Sequence, residues 1–199
     1  MSFYNKIKWV LGILMIFVLI LATNLIDRNN FLRVKESVIT IYEDRLVAND
    51  IIFEMSRSVQ EKEVAVAKSD TVFFLERNKQ ANKDIQELVS KFKMTKLTLD
   101  ESKIFNDFLE NINSLKEYET AYIQSNFSEK TSLNNQISNI KQNLYELSKV
   151  QLNEGKRQTS LSKKAIDSVE LFTQMEIYIL IFLAVLIQII VIYRPKEQH

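Results

Sequence analysis

Two stretches of this chain carry no charged side chain. They are "WVLGILMIFVLILATNLI", Trp9 to Ile26, and "IYILIFLAVLIQIIVIY", Ile177 to Tyr193. With its flank, each is close to the ~20 residues a helix needs to cross a bilayer. Backbone placed in hydrocarbon must satisfy its own N–H and C=O groups, so each run is expected to be helical. Trp9, Tyr178 and Tyr193 sit at the ends of these runs, where amphipathic rings favour the headgroup layer. A cleaved signal peptide is the rival reading of the first run, because Lys6 and Lys8 precede it, yet "LATN" lacks the small-x-small pattern of a cleavage site. The rival for the second is a buried core helix, for which the chain offers no comparable apolar surface as cover.

The flanks set the expected orientation. Lys6 and Lys8 precede the first run and Arg194 and Lys196 follow the second, whereas Asp27, Glu170 and Glu176 lie at the opposite ends. Positive residues favour the cytoplasm, so both termini are expected inside. The predicted organisation is a cytoplasmic segment 1–8, a first span 9–27, an extracytoplasmic part 28–176, a second span 177–193 and a cytoplasmic tail 194–199. In a bacterium this is a two-pass protein of the inner membrane, its middle part in the periplasm or outside the cell.

That middle part reads as helix throughout. Glycine occurs only at Gly12 and Gly155 and proline only at Pro195, too few turn-formers for a sheet. Alternating spacings of four and three give a first seam of Val34, Val38, Ile41, Arg45, Ala48, Ile52, Met55 and Val59. Ser69 or Asp70 offers the next helix start, followed by Phe74, Asn78, Ala81, Ile85, Leu88 and Phe92. "TLDE", Thr98 to Glu101, is a capping box ahead of Ile104, Phe108, Ile112, Leu115 and Tyr122, with Phe105 and Leu109 widening the stripe. Ser128 is the expected cap of a last helix, whose seam runs Leu133, Ile137, Ile140, Leu144, Leu147, Gln151, Glu154, Gln158, Leu161, Ala165, Ser168, Phe172 and Met175.

A repeat near 3.5 specifies left-handed packing of near-parallel helices, and short breaks favour antiparallel neighbours. The predicted fold is all-α: a membrane-anchored, antiparallel up-down four-helix bundle, its first and last helices continuous with two transmembrane helices. A shift of either outer helix would then reach the cytoplasmic side directly.

Composition removes several function classes. Lys+Arg number 26 and Asp+Glu 25, which leaves no global attraction for nucleic acid. There is no cysteine, and the only histidine is His199, so thiolate or histidine metal sites, a histidine dyad and a Glu-x-x-His dinuclear bundle are all unavailable. No cofactor and no catalytic residue is expected, and an enzyme is not.

The informative anomaly is Arg45, the one charge inside the first seam. It lies about 17 residues past the first span, or ~26 Å at 1.5 Å per residue. Gln158 and Glu154, counted back from Glu176, fall at ~27 Å and ~33 Å. Gln151, Glu154 and Gln158 are the consecutive polar run in the last seam, and Asn49 lies one turn from Arg45. Arg45, Asn49, Gln151, Glu154 and Gln158 are therefore the candidate ligand site: a guanidinium fork for carboxylate or phosphate, oriented by amides and a carboxylate. The same residues also read as a satisfied structural layer that fixes register. Lys62, further along the first seam, reads as a solvated end. Tyr118 and Tyr122 read as core, and Gln188 as a hydrogen-bonding group within the second span.

The arrangement resembles the sensory half of methyl-accepting chemotaxis receptors, a four-helix-bundle ligand-binding domain between two spans. The local match is "IYEDRLVANDIIFEM", whose Tyr42, Asp44, Arg45 and Leu46 follow a Tyr-x-Asp-Arg-Leu pattern seen in that family. The resemblance implies a homodimer in the lipid bilayer that binds a small carboxylate or amino-acid-like ligand, or a ligand-loaded partner protein, outside the membrane. It also implies signalling through helix shifts to a partner, as in chemotaxis. Beyond Tyr193 stands only "RPKEQH", in place of the linker and cytoplasmic hairpin of those receptors. A chain that signals through another protein's cytoplasmic parts and a piece of a longer receptor both fit. The alternative is a structural, membrane-anchored interaction protein that modulates a larger complex without a small ligand.

Overall fold

The computed structural model describes residues 3–192, without the side chains of residues 3–10, 13, 184 and 187–192. Lys6, Lys8, Trp9, Gln188, Tyr193, Arg194, Lys196 and His199, on which part of the topology rests, lie outside that description. Among the described residues every regular element is helical. In chain order they are α1 (Phe3–Thr40), a π-helical segment (Ile41–Leu46), α2 (Val47–Lys68), a second π-helical segment (Phe73–Arg77), α3 (Asn78–Lys93), α4 (Leu99–Gln124) and α5 (Lys130–Ile192).

The chain divides into two compact units. One comprises Met1–Val38 and Thr159–His199, the other Ile39–Gln158. In the first, a stretch within Leu14–Lys68 has 18 consecutive residues of mean hydropathy 1.3 of which 6% are buried, long and apolar enough to cross a membrane. Leu14, Phe17, Val18 and Leu21 are all exposed there, as are Ile177, Leu180, Ile181 and Phe182 on α5.

The second unit is a four-helix bundle. Its directions follow from the pairs that join the helices. Asn49 meets Ser148 while Glu63 meets Lys141, so α2 and α5 run oppositely. Asn78 meets Glu119 while Phe92 packs on Phe105, so α3 and α4 run oppositely. One continuous core joins Ile52, Met55 and Val59 to Ile85 and Phe92, Phe108 and Leu115, and Leu133, Ile140 and Leu147.

Local chemistry sets the helix ends. Ser69 closes α2 in the left-handed conformation, φ 52°, and the N–H of Asp70 reaches the carbonyl of Ala65 at 2.8 Å. Asp70, rather than Ser69, starts the next helix by accepting from the N–H of Phe73 at 3.0 Å. The expected capping box forms: Thr98 Oγ1 accepts from the Glu101 N–H, and Glu101 Oε2 accepts from the Thr98 N–H. Ser128 does not cap α5; its hydroxyl donates back to the carbonyl of Ser125 at 2.7 Å. Phe74, Tyr122 and Phe127 pack edge-on or tilted and close the end of the bundle where α2 meets α3 and α4 meets α5.

The seams differ from expectation where backbone or charge intervenes. A π-helical turn holds one more residue than an α-turn, so the segment at Ile41–Leu46 shifts the buried face by one position. Ser37 is buried and Val38 is exposed, the reverse of the regular seam. On α3 Val89 takes the core place expected for Leu88, which is half-buried. On α5 the core ends at Gln151; of the apolar members beyond it Ala165 is buried, whereas Leu161 and Met175 are exposed.

Candidate functional site

Two polar layers interrupt the bundle core. The first is built on Arg45, placed by the π-helical segment and 6% exposed. Its Nη1 donates to Glu101 Oε1 at 2.6 Å and to Gln151 Oε1 at 3.0 Å. Glu101 is fully buried, and it serves two purposes with one carboxylate: Oε2 caps α4 while Oε1 holds Arg45. Both bonds of Arg45 run through Nη1, and its Nε, like Gln151 Nε2, is a buried donor without an acceptor. Unmet buried donors of this kind are uncommon and costly.

Of the five residues expected here, Arg45 and Gln151 meet. Asn49 does not join them: it is exposed, and its Oδ1 accepts from Ser148 at 2.9 Å. Nor does Glu154, which turns outward so that its Oε2 accepts from Arg157 Nε at 2.9 Å and Nη2 at 2.7 Å. The hydrogen bond from Arg157 holds the Glu154 carboxyl below the usual carboxylate range, against a smaller opposing effect of burial. Gln158 is half-buried and lines a groove with Arg45. The height count placed Arg45 level with Glu154 and Gln158, whereas its true level on α5 is Gln151.

The groove holds about 480 Å³, and all its lining residues belong to the Ile39–Gln158 unit. Lys96, Leu97, Thr98, Leu99 and Ser102 form one wall, from the α3–α4 connection and the start of α4; Thr40, Arg45, Arg157 and Gln158 form the other. The charged lining residues are Arg45, Lys96 and Arg157, all cations.

The second layer is centred on Lys62, which is 0% exposed and not the solvated end expected from sequence. Its Nζ donates to Glu119 Oε1 at 2.6 Å and to Asn78 Oδ1. Asn78 Nδ2 and Asn82 Nδ2 both donate to Glu119 Oε2, at 2.8 Å and 2.9 Å. Burial pushes the Lys62 ammonium below its ordinary pKa, and Glu119 opposes that shift. No buried donor or acceptor of this layer lacks a partner among the described residues.

Glu101 and Glu119 escaped the sequence reading because both are acidic. Extending the α4 seam was the available signal: Glu101, Phe105, Phe108, Ile112, Leu115, Glu119 and Tyr122 are its buried positions, at spacings of four and three throughout. The two cations on the first helical rod stand 17 residues apart and their two carboxylate partners 18 apart, so the paired stretches run the same way and the layers are separated by ~26 Å.

Four helices with opposite-running neighbours, one core, and ionic layers inside it define a four-helix bundle with a polar interior. A family described as a four helix bundle sensory module for signal transduction matches residues 1–166. The chain belongs to that family, in keeping with the likeness to the sensory domain of chemotaxis receptors drawn from its sequence. No curated protein and no solved structure matched it.

Proposed function

We propose that the chain is the sensory part of a two-pass bacterial inner-membrane protein, with residues 28–176 outside and both termini in the cytoplasm. Family membership over residues 1–166 is the observation that carries the sensory reading. The exposed apolar surface of Leu14–Leu21 and of Ile177–Phe182 supports lipid contact for both end segments. A stimulus at the Ile39–Gln158 unit biases one packing of its helices over another, and α1 and α5 pass that bias inward to a cytoplasmic signalling partner. Only a stimulus with different affinity for the two packings does this. The site that fits reception best is the Arg45 groove, with Gln151 beneath it and Gln158 at its edge. Exposed Tyr42, Leu46, Phe53, Tyr145 and Leu152 support a homodimer. Chemotaxis is the output this reading favours.

The absence of cysteine makes the topology simple to test. A single cysteine at Ser56 should react with a membrane-impermeant maleimide on intact cells, and one at Ser2 should not. Grafted onto the cytoplasmic half of a chemotaxis receptor, the chain should make kinase output depend on conditioned medium. Labelling at Ser2 with protection at Ser56 would overturn the orientation, and invariant output would overturn the sensory reading.

A further inference from the structure

The two ionic layers of the bundle differ in one respect that points to a ligand. Around Lys62 each buried polar atom has a partner, whereas the Arg45 layer leaves two buried donors, Arg45 Nε and Gln151 Nε2, without an acceptor. Neither residue is free to turn aside: Nη1 of Arg45 is locked between Glu101 and Gln151, and Gln151 is 2% exposed. The fixed guanidinium therefore keeps its Nε edge in reserve, the edge that takes a planar carboxylate side-on through two parallel hydrogen bonds.

Arg45 is also a lining residue of the groove, whose charge suits an anion. Arg45 is balanced by Glu101 and Arg157 by Glu154, while Lys96 makes no ion pair among the described residues. One uncompensated positive charge remains. Leu97 and Leu99 supply apolar wall beside it. The start of α4 is not the attraction, because Glu101 already caps it from within.

Resting on the sensory reading above, we infer that the stimulus is a small monocarboxylate with an apolar body. Its carboxylate takes the Nε edge of Arg45 and the Nε2 of Gln151, Lys96 neutralises it at the mouth, and its body lies against Leu97 and Leu99. Binding supplies the acceptor that the layer lacks and ties α5, through Gln151, to the Arg45–Glu101 pair.

The test uses the full chain in detergent micelles, with benzoate and butyrate as probes and benzamide, succinate and inorganic phosphate as comparisons. Benzoate or butyrate should raise the melting temperature saturably, with benzamide without effect and succinate and phosphate at least roughly tenfold weaker. Arg45→Lys keeps a cation for Glu101 but removes the Nε edge, and should weaken the monocarboxylate by roughly tenfold or more. Gln151→Met should weaken it too, and Lys96→Ala should weaken it most at low salt. Lys62→Met is the control, a change in the other layer that should leave affinity unaltered in whatever fraction folds. Equal binding of benzamide, preference for phosphate or succinate, no binding by any probe, or full affinity in a folded Arg45→Lys protein would each overturn the inference. If the grafted receptor still answers conditioned medium while no monocarboxylate binds, the ligand class falls and the sensory function stands.

Discussion

Glu101 is a buried carboxylate with two duties, and removing it should cost more than either duty alone. Glu101→Ala removes the carboxylate half of the α4 capping box, worth up to about 1 kcal/mol, and leaves the Arg45 guanidinium buried without its counter-ion, worth about 3–5 kcal/mol. Thr98→Ala removes only the hydroxyl half of that box, so chemical denaturation should show a loss of about 1 kcal/mol for it and several times that for Glu101→Ala. Lys62 gives a second comparison. Lys62→Met leaves Glu119 buried and should destabilise by about 3–5 kcal/mol, whereas Lys62→Met with Glu119→Leu should recover most of that loss. The pH dependence has a definite sign. The folded-state pKa of Lys62 is lowered, so between that value and the ordinary 10.5 the unfolded chain binds more protons. Its contribution to stability therefore rises as pH climbs through that window and is at its least favourable below it. Denaturant midpoints on the alkaline side should show this rise in the native chain and not in Lys62→Met. These residues also mark where the sequence was hardest to read. An arginine in an apolar stripe stood out, but its partner was hidden, because a glutamate at the third position of a capping box already had a local explanation.

At the scale of single elements, periodicity foretold all four bundle helices and most of their buried faces, because one-sided burial imposes its repeat on the residues. It failed where the backbone itself was irregular. No residue type announces a π-turn, so the exchange of Ser37 for Val38 below Ile41–Leu46 was not legible. Charge hid the rest, since Lys62 on a seam reads as solvent-facing until a carboxylate is found opposite. The helix ends offer a cleaner test. Ser69 holds φ 52°, where a side chain costs energy that glycine does not. Ser69→Gly should stabilise the bundle by a few tenths to about 1 kcal/mol, read as a higher denaturation midpoint. Phe127 holds φ 64° and yet should not be relieved in this way. Its ring packs 5.4 Å from that of Tyr122, so Phe127→Gly exchanges a small strain for the loss of an aromatic contact and should destabilise.

Across the whole molecule the irregular turn at Ile41–Leu46 lies next to the boundary between the two compact units. Deleting one residue from it, Glu43 for example, should restore a regular α-helix and keep Ser37 on the face of Arg45, two turns away, because the wide turn is what accommodates the extra residue. The bundle's melting should change little, and a receptor grafted to the chain should keep its regulated output. Output locked high or low after this deletion would show that the π-turn itself takes part in signalling. The paired charges carry a last consequence. Arg45 with Glu101 and Lys62 with Glu119 tie the same two same-direction helical rods at two heights. Like rungs fastened to both rails of a ladder, they admit a single lengthwise offset, and sliding one rail past the other by a turn would strand two cations and two carboxylates in oil at once. Shear between those rails is thereby forbidden, and only tilting, twisting or sideways spreading, or travel of the helices outside the ladder, remains open to a stimulus.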